Sequence, residues 1–138
     1  MMRKWCLAAV LMLCCFACGK GGNVVPSVAV SFEADVNDPR LAALKSPGGA
    51  VIIPGYGVAG LILYRESDLS YAAYDACSSY QPENRCAVKL DNNSFTCTDP
   101  CSGSKFSLID GTPVKAPATR SLRVYNINVS NFEIFVSN

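Results

Sequence analysis

The sequence predicts an all-β domain, a small antiparallel sandwich or barrel-like fold of short hairpins. Three observations predict it. Residues alternate with period two in the first half, where Val28, Val30 and Phe32 interleave with Ala29, Ser31 and Glu33. Turn-forming clusters then recur every few residues, marking many short strands. Nowhere does a long amphipathic helical pattern, a repeat or a low-complexity tract appear in the 138 residues.

The elements follow in order. The alternating run at Val28–Glu33 reads as a half-buried strand, and Asn37-Asp38-Pro39 breaks it. Arg40 to Lys45 reads as one short helical turn, with Asp38 as its cap and Pro39 at its first position. Pro47-Gly48-Gly49 ends that turn, and Ala50 to Ile53 is a short strand. After the turn Pro54-Gly55-Tyr56-Gly57, Gly60 to Tyr64 is a strongly apolar strand, and Tyr71 to Asp75 is another. The remainder reads as hairpins. Cys86–Leu90 and Phe95–Thr98 flank Asp91-Asn92-Asn93-Ser94, and Lys105–Ile109 and Thr112–Val114 flank the two-residue turn Asp110-Gly111. Ser121–Val129 and Phe132–Val136 flank Ser130-Asn131.

The first residues have a different character. Arg3 and Lys4 precede an apolar run from Trp5 to Ala17, which is shorter than the roughly 20 residues a membrane span needs. A basic head and a short apolar stretch describe an export signal, here residues 1–17. Ala17-Cys18-Gly19 resembles a lipobox, although Cys15 stands where Leu is usual and Phe16 is bulky. Cys18 is thus expected to be lipidated and to become the first mature residue. Residues 18–26 then form a flexible tether and residues 27–138 the β domain. This places the protein in a bacterial cell envelope, held to a membrane by its lipid and facing away from the cytoplasm. Losing Arg3 and Lys4 reduces 12 basic residues to 10 against 11 acidic ones, a net charge of −1. That balance offers no footprint for nucleic acid. The expected partners are the membrane, through the anchor, and an envelope protein; the sequence leaves the oligomeric state open.

Four cysteines remain beyond the leader and the lipid site: Cys77, Cys86, Cys97 and Cys101. An even number in an exported domain points to two disulfides. Four cysteines allow three connectivities, and spacing does not choose among them.

The residues around these cysteines resemble a family. Cys77-Ser78-Ser79, Cys86, and Asp99-Pro100-Cys101-Ser102-Gly103-Ser104-Lys105-Phe106 look like a degenerate Rieske iron–sulfur motif. The likeness continues through Phe106-Ser107-Leu108-Ile109-Asp110-Gly111 and Ala116-Pro117-Ala118-Thr119-Arg120-Ser121-Leu122, where the family has a Gly-Pro-Ala-type loop. The resemblance implies a Rieske-type β domain across roughly residues 50–128. A Rieske cluster is held by two Cys on one iron and two His on the other. Matched position by position, the ligand places fall on Cys77, Ser79, Asp99 and Ser102. Cys86 and Cys101 fall where the family's loop-tying disulfide belongs. Cys97 lies two residues before the second ligand place, so a Cys77–Cys97 bond in place of the cluster is the second expected disulfide.

One count bears on the cofactor: the chain has no histidine. Serine hydroxyls are poor iron ligands, so no 2Fe–2S cluster, no other metal and no catalytic residue are expected. Histidine-based triads are excluded by composition. Ser102, Ser104 and Lys105 are better explained by turn chemistry than as a nucleophile and base. Asp91, Asp99 and Glu83 read as loop carboxylates, since no calcium-loop spacing is present. Tyr71, Tyr74 and Tyr80 read as strand packing, and Arg120 and Arg123 as solvated. The functional expectation is a non-catalytic interaction or structural module. The alternatives are a Rieske-type electron-transfer protein with unusual ligands and a thiol–disulfide redox protein.

Overall fold

A computed structural model describes residues 24–93 and 95–138 of the chain. The expected export signal and lipid site, residues 1–17 and Cys18, lie outside the described residues. Among the described residues ten strands form: β1 (Ser31–Asp35), β2 (Ala50–Ile53), β3 (Leu61–Arg65), β4 (Tyr71–Asp75), β5 (Lys89–Leu90), β6 (Thr96–Thr98), β7 (Lys105–Ser107), β8 (Pro113–Lys115), β9 (Val124–Ser130) and β10 (Glu133–Ser137). They make a six-stranded sheet in the order β1-β10-β9-β4-β3-β2 and a four-stranded sheet in the order β5-β6-β7-β8. All pairings within both sheets are antiparallel.

β3 organises the interior. Leu61 and Leu63 face one core, with Phe32, Leu41, Leu44, Ala73, Ile134 and Val136. Ile62 and Tyr64 face a second core, with Tyr74, Val88, Cys97, Phe106, Leu108 and Leu122. A strand covered on both faces reads as a continuous apolar run, which is why Gly60–Tyr64 stands out in the sequence. The first core lies between the six-stranded sheet and the 3-10 helix Pro39–Lys45. That helix starts as its residues dictate: Asp38 accepts a 2.8 Å bond from Arg40 N–H, and Pro39 needs no donor at the first position. The second core joins the six-stranded sheet to the hairpin sheet.

Three boundaries differ from the expectation. The first strand runs from Ser31, not Val28, because its pairing with β10 begins at Ser31 opposite Ser137. The last hairpin turns at Asn131-Phe132 rather than Ser130-Asn131, with Ser130 paired to Glu133. Both turn residues have positive φ, 51° and 65°, and this one-residue shift puts Tyr125, Ile134 and Val136 inward. Residues 108–112 form a longer turn than the expected Asp110-Gly111 pair, because Leu108 leaves the strand to enter the second core.

Candidate functional site

Three loops meet at one end of the domain: L1 (residues 76–88), L2 (residues 99–104) and L3 (residues 116–122). L1 springs from β4 over a buried carboxylate. Asp75 accepts bonds from Val58 N–H at 2.6 Å, Ala59 N–H at 3.1 Å, Cys77 N–H at 2.8 Å and the Tyr125 hydroxyl at 2.7 Å. A β-carbon on Gly57 would collide with this carboxylate, and Gly57 also has φ +65°, so glycine is required there. Further along L1, Ser78 N–H donates to the Cys86 carbonyl at 2.8 Å, and Gln81 and Arg85 take left-handed backbone angles.

L2 folds around a second buried carboxylate, Asp99. Its Oδ1 accepts from Cys101 N–H at 2.8 Å and its Oδ2 from the Ser102 hydroxyl at 2.6 Å. The Ser102 oxygen is in turn 2.8 Å from Ser104 Oγ, which accepts from Ala118 N–H of L3 at 3.0 Å. Ser78 of L1 also bonds the Asp99 carboxylate. Burial disfavours ionisation of Asp99, but the bonds from Ser102, Ser78 and Cys101 outweigh it and hold the carboxyl below its usual range. The disulfide Cys86–Cys101 ties L1 to L2, and the Ala116–Pro117 peptide in L3 is cis. A cleft of about 320 Å³ opens among the loops, lined by Tyr80, Gln81, Asn84, Ser102 and Pro117 beside the disulfide and Asp99.

The four family ligand places separate into three locations. Asp99 and Ser102 bond each other. Cys77 is fully buried at the base of L1, its sulfur facing the Ser78 and Pro82 carbonyls at 3.5 and 3.8 Å. Ser79 turns to L3 and donates to the Arg120 carbonyl at 2.5 Å. The expected Cys77–Cys97 disulfide is not formed: both thiols are free and buried. Cys97 lies on β6, opposite Leu90 and Phe106, within the second core. The alternation of β6 turns it inward, to pack in that core rather than bond to Cys77. Burial, reinforced by Asp75, pushes the Cys77 thiol up to about 11. Burial, reinforced by Asp91, pushes Cys97 up to about 12.

Other candidate residues have ordinary roles. Asp91 accepts from Thr96 and Thr98 at 2.6 and 2.7 Å and pairs with Lys105 at 3.1 Å, so Lys105 does not serve Ser104 as a base. Tyr74 is buried and donates to the Leu108 carbonyl at 3.1 Å. Arg123 is not the solvated residue expected: its guanidinium donates to the Val25 carbonyl at 3.0 Å, and its Nε is buried without a hydrogen-bond partner. Sequence reasoning missed Asp75, Ser78 and Ser104 as organising groups. Ser78 and Ser104 stood inside the matched motif, whereas the role of Asp75 depends on Gly57 and Tyr125, distant in sequence.

No family model matches the chain. It is 30% identical over 96 residues to Ferredoxin CarAc of Metapseudomonas resinovorans, a match covering 70% of this chain and 87% of that protein. Its fold is similar to the plasma-membrane Rieske protein PetC3 of Synechocystis PCC 6803, with a TM-score of 0.55 at 20% identity, covering 81% of this chain and all of that one. A chain of the complex of reduced oxygenase and oxidized ferredoxin in carbazole 1,9a-dioxygenase matches with a TM-score of 0.54 at 21% identity, covering 78% and 93%. The ferredoxin of carbazole 1,9a-dioxygenase from Nocardioides aromaticivorans IC177 matches with a TM-score of 0.52 at 20% identity, covering 80% and 97%.

These relatives overturn the expectation that no cofactor belongs to this protein, since Rieske ferredoxins carry a 2Fe–2S cluster. The donors here do not fit that family's ligand set. Cys77 is the one thiol among the four matched places, no imidazole exists, and Asp99 and Ser102 already satisfy each other. Kinship and donor set therefore disagree, and it is kinship that the sequence match and the shared architecture establish: the chain belongs to the Rieske-type ferredoxin family.

Proposed function

We propose that this protein works in ferredoxin-type electron transfer, meeting a larger redox protein through the tip built by L1, L2 and L3. One observation carries the reading: a 30% identical match spanning 87% of a ferredoxin. The tip supports it, because three loops are held there by the Cys86–Cys101 bond and the Asp99 hydroxyl network. A complex between a ferredoxin and an oxygenase is among the similar folds, and a protein partner of that redox class suits this reading. The comparisons lend no support to the purely structural module expected from the sequence. Thiol–disulfide exchange at Cys77 or Cys97 is disfavoured, since both thiols are buried and raised far above the range of reactive cysteines.

The reading stands on kinship, and the donor set opposes it. Purification of the full chain without oxygen, followed by iron and sulfide analysis and voltammetry, decides between them. Electron transfer predicts bound iron and a reversible one-electron couple that Cys77→Ala abolishes. An iron-free protein with no couple would overturn it and return the chain to a docking role.

We also propose that the domain sits in the cell envelope, lipid-anchored at Cys18. The leader supports this: a basic head, a short apolar run and Ala17-Cys18-Gly19. Incorporation of a labelled fatty acid, lost in Cys18→Ser, tests it.

A further inference from the structure

The disulfide between L1 and L2 has a third donor beside it. Cys86 Sγ, Cys101 Sγ and an Asp99 carboxylate oxygen lie within 4.8 Å of one another. We propose that reductive opening of Cys86–Cys101 turns this trio into a binding site for a thiophilic divalent cation, zinc in particular. This goes beyond the electron-transfer reading and does not depend on it.

The geometry is close to what zinc needs. Zinc binds thiolate sulfur at about 2.3 Å and carboxylate oxygen at about 2.0 Å, which places neighbouring donors roughly 3.3–3.8 Å apart in a tetrahedron. The trio already lies within 4.8 Å, so opening the sulfur–sulfur bond needs to move its donors only a short way to that spacing. Two sulfurs and one carboxylate select zinc over magnesium or calcium, which prefer all-oxygen shells. Three protein ligands leave a fourth position open toward the cleft.

The chemistry balances with an external dithiol as reductant. Cys101 is exposed beside the cleft, so a dithiol sulfur attacks there, Cys86 leaves as a thiolate, and a mixed disulfide forms. The second thiol of the reductant then displaces Cys101 and closes the reductant's own disulfide. Two electrons pass to the protein, leaving two cysteine thiols. Zinc takes both as thiolates and releases two protons to solvent.

The loops keep their shape without the sulfur–sulfur bond. Ser78 N–H to the Cys86 carbonyl, Asp99 N–H to the Ser104 carbonyl and Gly103 N–H to the Asp99 carbonyl, each 2.8 Å, all remain. Cys77 and Cys97 cannot substitute, because both are fully enclosed elsewhere. The same trio in its oxidised form offers no thiolate, so metal binding and the redox state of the disulfide exclude each other.

The test titrates the full chain with zinc alone, against a chromophoric chelator, before and after anaerobic reduction. One added zinc per reduced chain is expected, absent from the oxidised form, and Asp99→Asn should weaken it at least ~10-fold while its disulfide forms normally. Cys86→Ser/Cys101→Ser keeps every other cysteine and should lose this zinc. Equal binding by oxidised and reduced chains, full binding in Asp99→Asn, or survival in the double serine variant would each overturn the proposal. So would collapse of the near-ultraviolet circular dichroism on reduction, since the site needs folded loops.

Discussion

Two buried carboxylates stand under the two main loops, and they are satisfied in different ways. Asp75 gathers donors from two distant stretches, Val58 and Ala59 and the Tyr125 hydroxyl, and from Cys77 two residues on. Asp99 gathers its donors from its own loop, Cys101 and Ser102, with Ser78 added from L1. The first knot joins the turn before β3, the end of β4 and the start of β9, so it belongs to the fold. The second shapes the tip and can change with little effect on the sheets. Buried backbone N–H groups without a partner are costly, and Asp75 satisfies three of them where Asp99 satisfies fewer.

This contrast can be broken by substitution. Asp75→Ala leaves three N–H groups and a tyrosine hydroxyl unsatisfied and should cost about 4 kcal/mol in urea unfolding, with Asp75→Asn losing less. A loss below about 1 kcal/mol would show that the knot does not hold the fold. Next in size is the sulfur tie: Cys86→Ser/Cys101→Ser opens a link of sequence separation 15 and should cost about 3 kcal/mol in the same assay. Tyr125→Phe removes one donor to Asp75 and should cost about 1.5 kcal/mol, leaving the tip unchanged by amide exchange.

The smallest effect belongs to Asp99. Its folded pKa is depressed, so its contribution is complete above the unfolded value of about 3.9 and is lost as pH falls through the folded one. Asp99→Asn should cost about 1 kcal/mol at pH 7 and flatten the acid limb of the stability profile below pH 4. An unchanged acid limb would place the loss elsewhere. Thiol labelling sharpens the comparison further. Peptide mapping after iodoacetamide at pH 8 should find Cys77 and Cys97 unmodified in the native protein and modified after denaturation, because burial keeps both thiols protonated.

Much of this was legible along the chain. The cap at Asp38, the strands at Ala50–Ile53 and Tyr71–Asp75 and the family likeness around Cys86 and Cys101 all rest on neighbouring residues. The pairing of Cys97 was not legible. Its spacing from Asp99 suggested a shifted ligand, whereas the alternation of β6 and its register against Phe106 bury it in the hairpin core. The register of the last hairpin was also beyond reach, because Phe132 reads as a strand residue yet takes an exposed turn position with positive φ.

Composition alone settled that no imidazole can act here, and local pattern settled that the domain is built of short antiparallel strands. Motif likeness marked which cysteines stand at the loop tie. The tertiary structure decided the rest: that Cys77 and Cys97 stay unbonded, that Asp75 anchors L1, and that Asp99 closes with serines and with the disulfide sulfurs beside it. Local preferences act between near neighbours and can be read along the chain. Which buried groups meet depends on how two sheets share one strand, and only packing in three dimensions sets that.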